Sequence, residues 1–323
     1  MTRFLLEHTQ ATIRAFSRDE NKQFHMRQRF GDERVRYLLG DVRERHRLET
    51  AFCGADLAFH AAALKHVPAG QYNPTEFKRT NIDGTENVLS ACQAMGVKTA
   101  VFISSDKAVA SVNLYGHSKA MAEQIWTQGN AYAPHGTSFI TIRYGNVRNS
   151  RGSVLEIWRA QLAAGEAPTI TSPDMSRFDL SIDEAVRLAW FATQHVPRGC
   201  IVVPHLPAYN VLDLLEAVCG DDAKPFRLTG LRPGEKRAEL LATDEEMERA
   251  YAYMYTTPIR PHSYVIPPIA PSWPFPMPAA WHAWLPASLF VAAINPSHVP
   301  YRSDVWPDRL TVADLRRRLA VPT

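Results

Sequence analysis

Over the first two thirds of the chain, short runs of β-branched and apolar residues alternate with longer stretches of helical period. Very few folds accept that alternation. Residues 12–17, 35–40, 57–60, 99–104, 138–142 and 201–203 read as strands, and residues 45–52, 74–95, 115–131 and 182–193 as helices. Strand–helix–strand units with right-handed crossovers give an α/β fold with a doubly wound parallel sheet, which holds ligands over the carboxyl ends of its strands. A chain of 323 residues, 46% of them hydrophobic, is long enough to cover both faces of such a sheet.

Past residue 204 the alternation fades into short αβ pieces at 211–218, 225–228 and 244–254. A proline- and tryptophan-rich stretch follows at 258–300. It is expected to be neither a regular helix nor a central strand, because proline lacks the amide donor that both require. It reads instead as an irregular cover over a substrate cleft, or as a linker. Residues 310–319, with Val312, Leu315 and Leu319 at helical spacing, form a short closing helix. The expected division is a dinucleotide-binding domain over 1–146, to which 178–203 returns, and a smaller substrate-binding domain over 147–177 and 204–323.

The opening departs from the pattern. Dinucleotide-binding domains begin with a strand, a glycine-rich turn and a helix. Here residues 4–8 read as the tail of that helix, and the second strand follows at once. The first strand and its glycine loop are therefore expected to be missing from the chain. With 36 basic and 33 acidic residues, the net charge of +3 creates no field suited to nucleic acid or an anionic membrane. Cys53, Cys92, Cys200 and Cys219 have no metal-binding or redox spacing. No apolar run approaches the ~20 residues that span a bilayer, and the start lacks the features of a signal peptide. A soluble, cytoplasmic protein without a metal is expected.

Ser104-Ser105-Asp106-Lys107 ends one strand, and Tyr115-Gly116-His117-Ser118-Lys119 opens a helix. A tyrosine and a lysine four residues apart are common on helix surfaces; following a strand that ends in Ser-Ser, they suggest chemistry. Tyr115 and Lys119 share a helix face, so the ammonium is expected to favour the phenolate and draw the tyrosine pKa down from ~10. Tyr115 then suits removal of a proton from a sugar hydroxyl whose carbon gives hydride to nicotinamide. Asp106-Lys107 adds a second step. A ketone at C4 acidifies the C5 proton and lets water leave from C6, which needs a base near C5 and an acid near the C6 hydroxyl. An adjacent amine and carboxyl supply both, provided burial and nearby positive charge lower the lysine pKa from ~10.4. At the end of the second strand, Ser17, Arg18 and Lys22 offer a hydroxyl and two cations where an NAD enzyme usually places a carboxylate. That set suits the 2′-phosphate of NADP.

The stretch SSDKAVASVNLYGHSK at 104–119 resembles the signature of the polysaccharide-biosynthesis dehydratases, extended short-chain dehydrogenases/reductases that include the inverting UDP-N-acetylglucosamine 4,6-dehydratases. FSRDENKQ (16–23), GDVR (40–43), FHAAALKHVP (59–68), TNIDGTENVL (80–89), IRYGNVRNSRGSV (142–154), ITSPDMSRF (170–178), LRPGEK (231–236) and YRSDVWPDRLTVADLRRRL (301–319) agree in order and spacing. The resemblance implies NADP-dependent conversion of UDP-N-acetylglucosamine to a UDP-4-keto-6-deoxy-hexosamine with C5 inversion, for surface polysaccharide or pseudaminic-acid-type sugars, by a homo-oligomer. It implies Asp106 as the general acid, Lys107 as the C5 base, and Tyr115, supported by Lys119, as the C4-hydroxyl base. Asp41, Val42 and the backbone of Ala61, Ala62 and Ala63 join Tyr115 and Lys119 at the cofactor. Lys65, Ser105, Asp106, Asn146, Ser150, Arg151, Gly152, Ser153 and Val154 face the substrate, with Arg177, Arg232 and Glu235 at its diphosphate and uridine. A nucleotide-sugar 4-epimerase of the same superfamily needs Tyr115 and Lys119 but not Asp106-Lys107. A truncated, non-catalytic NADP-binding paralogue needs none of them for chemistry.

Overall fold

The computed structural model describes residues 1–133, 136–150, 152–220, 225–256, 259–276, 280–281, 283, 285–293 and 301–320. All six expected strands form. β1 (Ile13–Ser17) and β2 (Val35–Leu39) lie parallel as a two-stranded sheet of their own. β3 (Leu57–His60), β4 (Thr99–Ile103), β5 (Ser138–Ile142) and β6 (Ile201–Pro204) run parallel as neighbours in a larger sheet. β7 (Tyr251–Thr256), β8 (Ile259–Ile266) and β9 (Leu289–Ala293) extend it antiparallel, giving seven strands in the order β9-β7-β8-β6-β5-β4-β3. The sheet is thus mixed, not wholly parallel. Among the described residues β1 pairs only with β2, and β3 only with β4.

The proline-rich stretch is the clearest correction. β8 is a central strand, although it contains Pro261. Pro261 sits opposite Met254, where the β7–β8 register shifts, and β6 pairs with β8 only over Ser263–Ile266. The missing amide therefore falls at an irregularity on one side and beyond the ladder on the other, a position that proline tolerates. Nor do the described residues of the stretch line the cleft. Trp281 is fully buried, edge-on to Tyr251, Tyr253 and Phe275, in the cluster that holds Leu188 and Val265. Residues 294–300 lie outside the described part of the chain.

Among the helices are α1 (Thr2–His8), α2 (Glu20–Phe30), α3 (Arg45–Phe52), α4 (Gly84–Ala94), α5 (Leu114–Gln128) and α6 (Ile182–His195), and others lie at Val154–Ala163, Val211–Cys219, Asp244–Arg249 and Val312–Ala320. Periodicity gives no sign of α2, because it buries only Gln23, whose amide donates to the carbonyls of Ser17 (3.1 Å) and Leu38 (2.9 Å). Local signals form it instead: Asp19 caps the Lys22 amide at 2.9 Å, and Gly31 ends the helix at φ 56°. The expected helix over 74–95 is broken by a π turn at Lys78–Asp83. Within it, Asn81 is buried, accepting from the Leu64 amide (2.8 Å) and donating to the Leu64 carbonyl (2.9 Å) and Ser118 Oγ (2.9 Å). That residue locks the segment after β3 against α5.

Candidate active site

A cleft of about 960 Å³ is lined by the segments that follow β4 and β5. It gathers Lys65, Ser105, Asp106, Lys107, Tyr115, Asn146, Ser150, Gly152, Ser153, Val154, Arg177, Arg232 and Glu235 from distant parts of the sequence. Arg151 lies outside the described residues.

Past β4, the Ser104 amide still donates to the Ile142 carbonyl at 2.7 Å, and Asp106–Ala108 then make a single 3₁₀ turn. Ser105 Oγ accepts from the Lys107 amide (3.3 Å) and donates to Asp106 Oδ1 (2.8 Å). Asp106 is buried, and Gly145 makes room for it: a Cβ there would lie 3.1 Å from Asp106 Oδ2. Lys107 Nζ stands 3.1 Å from Asp106 Oδ1 and 3.3 Å from Glu239 Oε1. Burial disfavours its charge, but the Asp106 and Glu239 carboxylates outweigh burial and raise its pKa above the ordinary lysine value. The expected lowering is not found, because two carboxylates face Nζ at close range. Lys107 rests as an ammonium.

Tyr115, in the first turn of α5, lines the cleft beside this turn. Burial raises its pKa and Asp106 adds to the rise, while Ser105 and Lys107 act against it. This too reverses the expected direction. Lys119 has turned inward, where its Nζ donates to the Ile103 carbonyl (2.6 Å) and lies 3.9 Å from the Phe102 ring centroid. Burial pulls the Lys119 pKa down to about 7, with Glu123 opposing.

The Leu231–Lys236 turn is fastened to this centre. Gly234, at φ 74°, accepts from Asn113 Nδ2 at 2.8 Å, and Lys236 Nζ donates to the Val109 carbonyl at 2.5 Å. Arg232 is exposed, and its amide donates to Glu235 Oε2 at 3.0 Å. Arg177 borders the cleft, but its guanidinium donates to the carbonyls of Ser176 (2.7 Å), Arg237 (2.9 Å) and Lys236 (3.1 Å). The residue that sequence reasoning missed is Glu239, which lines the cleft floor beside Lys107. Its one signal was a position three residues beyond the GEK block.

The expected cofactor residues lie away from this cleft, apart from Tyr115. Ser17 Oγ accepts from the Asp19 amide at 3.1 Å, Arg18 reaches Asp41 at 3.4 Å, and Lys22 pairs with Asp19 at 3.0 Å. The Arg18 and Lys22 side chains are 52% and 61% exposed, so both can turn to an incoming anion. Val42 is buried against Gly84, while Ala61 and Ala62 are exposed and Ala63 half-buried after β3. His60 bonds Thr85 Oγ1 at 2.9 Å, and burial takes its pKa down to about 3, so it is neutral. A hydroxyl and two exposed cations by the end of β1 suit a phosphate. Among the described residues no cluster fits a metal, and no helix is long and apolar enough to cross a membrane.

A model of the family described as polysaccharide biosynthesis protein matches residues 1–260, and the chain belongs to that family. The UDP-N-acetylglucosamine 4,6-dehydratase (inverting) of Campylobacter jejuni is 37% identical over 256 residues, 78% of this chain and 76% of that protein. The UDP-glucose 4-epimerase of Rickettsia massiliae is 40% identical over 241 residues, 74% of this chain and 71% of that protein. The structure of Pen from Bacillus thuringiensis matches with a TM-score of 0.84 at 31% identity, over 98% of this chain and 92% of that one. A dTDP-glucose 4,6-dehydratase from Streptomyces venezuelae, solved with NAD, matches at 0.64 and 18% identity, over 73% of this chain and 82% of that one. The fold is that of the extended short-chain dehydrogenases/reductases.

Proposed function

We propose that this chain is an NADP-dependent UDP-N-acetylglucosamine 4,6-dehydratase that inverts C5. The observation that carries this is the set gathered at the cleft: Lys107 Nζ lies 3.1 Å from Asp106, Ser105 Oγ donates to Asp106 at 2.8 Å, and Tyr115 lines the same cleft. Tyr115 takes the proton of the C4 hydroxyl, Lys107 takes the proton on C5, and Asp106 protonates the C6 hydroxyl as it leaves as water. A bound nicotinamide supplies the acceptance of hydride from C4 and its return to C6. Ser17, Arg18 and Lys22 hold the 2′-phosphate, with Asp41, Val42 and Ala61–Ala63 along the cofactor. Lys65, Asn146 and the Ser150–Val154 loop hold the sugar, and Arg232 and Glu235 the uridine diphosphate, with Arg177 bracing that wall. The sugar-nucleotide side is carried by residues 147–177 and the 209–239 part of the C-terminal stretch.

The test is NMR of the product formed from UDP-N-acetylglucosamine, with NADP and NAD supplied in parallel. A 4-keto-6-deoxy sugar with inverted C5, made faster with NADP, is expected. Lys107→Ala should cost about 10²–10⁴-fold, the usual worth of a general base. The similarity to the Rickettsia protein favours a second reading, 4-epimerisation at the same site. It predicts the C4 epimer as product and an unaffected Lys107→Ala variant, and that pair of results overturns the dehydratase.

A further inference from the structure

Lys107 rests as an ammonium, yet a base at C5 has to be a neutral amine. Two carboxylates stand ready to take its proton, and their surroundings differ. Asp106 Oδ1 accepts from the Ser105 hydroxyl at 2.8 Å and from Lys107 at 3.1 Å, and Oδ2 accepts from Lys107 at 3.3 Å. Glu239 is 4% exposed; its Oε1 meets Lys107 at 3.3 Å and Arg177 at 3.6 Å, and its Oε2 is buried without a hydrogen-bond partner. A buried, unbonded carboxylate oxygen holds a negative charge poorly and a proton well. The backbone beneath it is fixed: the Glu239 amide donates to Ser303 Oγ at 2.9 Å, and the Ser303 amide donates back to the Glu239 carbonyl at 3.0 Å. Ser303 Oγ in turn lies 2.8 Å from Ser176 Oγ.

We propose that Glu239 is a positioning residue for the dehydration, the group that receives the Lys107 proton and so turns Lys107 into the C5 base. The inference rests on the dehydratase reading. One N–H bond of Nζ breaks and one O–H bond forms on Glu239, and ammonium and carboxylate become amine and carboxylic acid with no proton drawn from water. The amine then takes the C5 proton into a new N–H bond. The C–H electron pair becomes the C5–C6 double bond. The Lys107 ammonium so formed passes a proton to Asp106, 3.1 Å away, which hands it to the C6 hydroxyl as that leaves as water, and Glu239 returns its proton to Lys107. The charged and titratable groups around Glu239 are Asp106, Lys107, Arg177, Lys236 and Tyr209. Burial and Asp106 push its pKa up, against Lys107 and Arg177.

Two measurements decide the matter. The Lys107 side chain is 29% exposed, so its acylation across pH, followed by mass spectrometry of its peptide, reports its protonation without cofactor or substrate. Glu239→Gln removes one carboxylate that holds the ammonium, and the titration should move down by about one pH unit, or roughly tenfold in reactivity at fixed pH. The second measurement is solvent-deuterium exchange at C5 of UDP-N-acetylglucosamine. It should fall about 10²-fold or more in Glu239→Gln and recover in part in Glu239→Asp, which keeps a carboxylate and also serves if the amide variant folds poorly. An unmoved Lys107 titration overturns the proposal, even if exchange is lost. A moved titration with wild-type exchange overturns the relay. If the wild type exchanges nothing at C5, the dehydratase reading fails and the relay with it, while the titration still shows whether Glu239 holds Lys107.

Discussion

Lys107 and Lys119 flank one site and are driven in opposite directions. Lys107 meets two carboxylates at 3.1 and 3.3 Å and its pKa rises; Lys119 meets a carbonyl and a ring, and burial takes its pKa to about 7. The second shift fixes a pH dependence. The folded protein declines, above pH about 7, a proton that the unfolded lysine binds up to its ordinary 10.5. The unfolded state therefore holds more protons in that window, and stability rises with pH across it, by at most about 1.4 kcal/mol per pH unit. Below pH 7 this lysine contributes no slope. Thermal melts of the wild type should thus gain on those of Lys119→Met from pH 7 to 9, and a constant difference would refute the assignment. At this scale the site was legible where its chemistry is contiguous: Asp106, Lys107 and Tyr115 fall in one sixteen-residue stretch, 104–119. Side-chain direction was not legible. Helical spacing put Lys119 on the face of Tyr115, but the open carbonyl of Ile103 took it.

Among the elements, the start of α5 is pressed against the Asp106–Ala108 turn, and Gly116 permits the contact. A Cβ there would lie 2.2 Å from the Lys107 carbonyl oxygen, a backbone atom that cannot swing aside. Gly116→Ala should destabilise by roughly 1–3 kcal/mol, as overpacking does, and push Asp106 and Lys107 out of register with Tyr115. Turnover should drop far more than the melting temperature; wild-type turnover would show that the turn yields without consequence. The six strands were legible to within one residue at either end, because β-branched runs between polar breaks leave little choice. α2 was hidden by its lack of an apolar stripe, and the π turn at Lys78–Asp83 by an otherwise continuous helical period. β8 was hidden by Pro261, whose harmless placement depends on where β6 and β7 stop pairing with it. No local pattern carries that information.

For the molecule as a whole, Arg143 is the tie between the parallel strands and the C-terminal stretch. Placed directly after β5 and 3% exposed, it bonds Glu123 of α5 (2.7 Å), Glu246 of the Asp244–Arg249 helix (2.8 Å) and the Leu241 carbonyl (3.0 Å). Arg143→Met strands the buried Glu123 carboxylate and the half-buried Glu246 carboxylate and should cost about 3–5 kcal/mol, the usual penalty for halving a buried ion pair. Urea unfolding measures it, and a loss under 1 kcal/mol would mean that the carboxylates find protons or water at little cost. Such long-range ties were illegible for the same reason as Glu239, since their partners are brought together only by the finished fold. Ser303 belongs with them. It lies beyond the 1–260 span that the family model matches, yet it carries the backbone of Glu239 and touches Ser176. A chimera that joins a different tail to this chain at residue 260 therefore keeps the Asp106, Lys107, Tyr115 and Glu239 side chains and exchanges the residue whose hydroxyl receives the Glu239 amide. Residue 303 is thus a place where the hold of the buried Glu239 carboxyl on its proton can be changed without altering any side chain that lines the cleft.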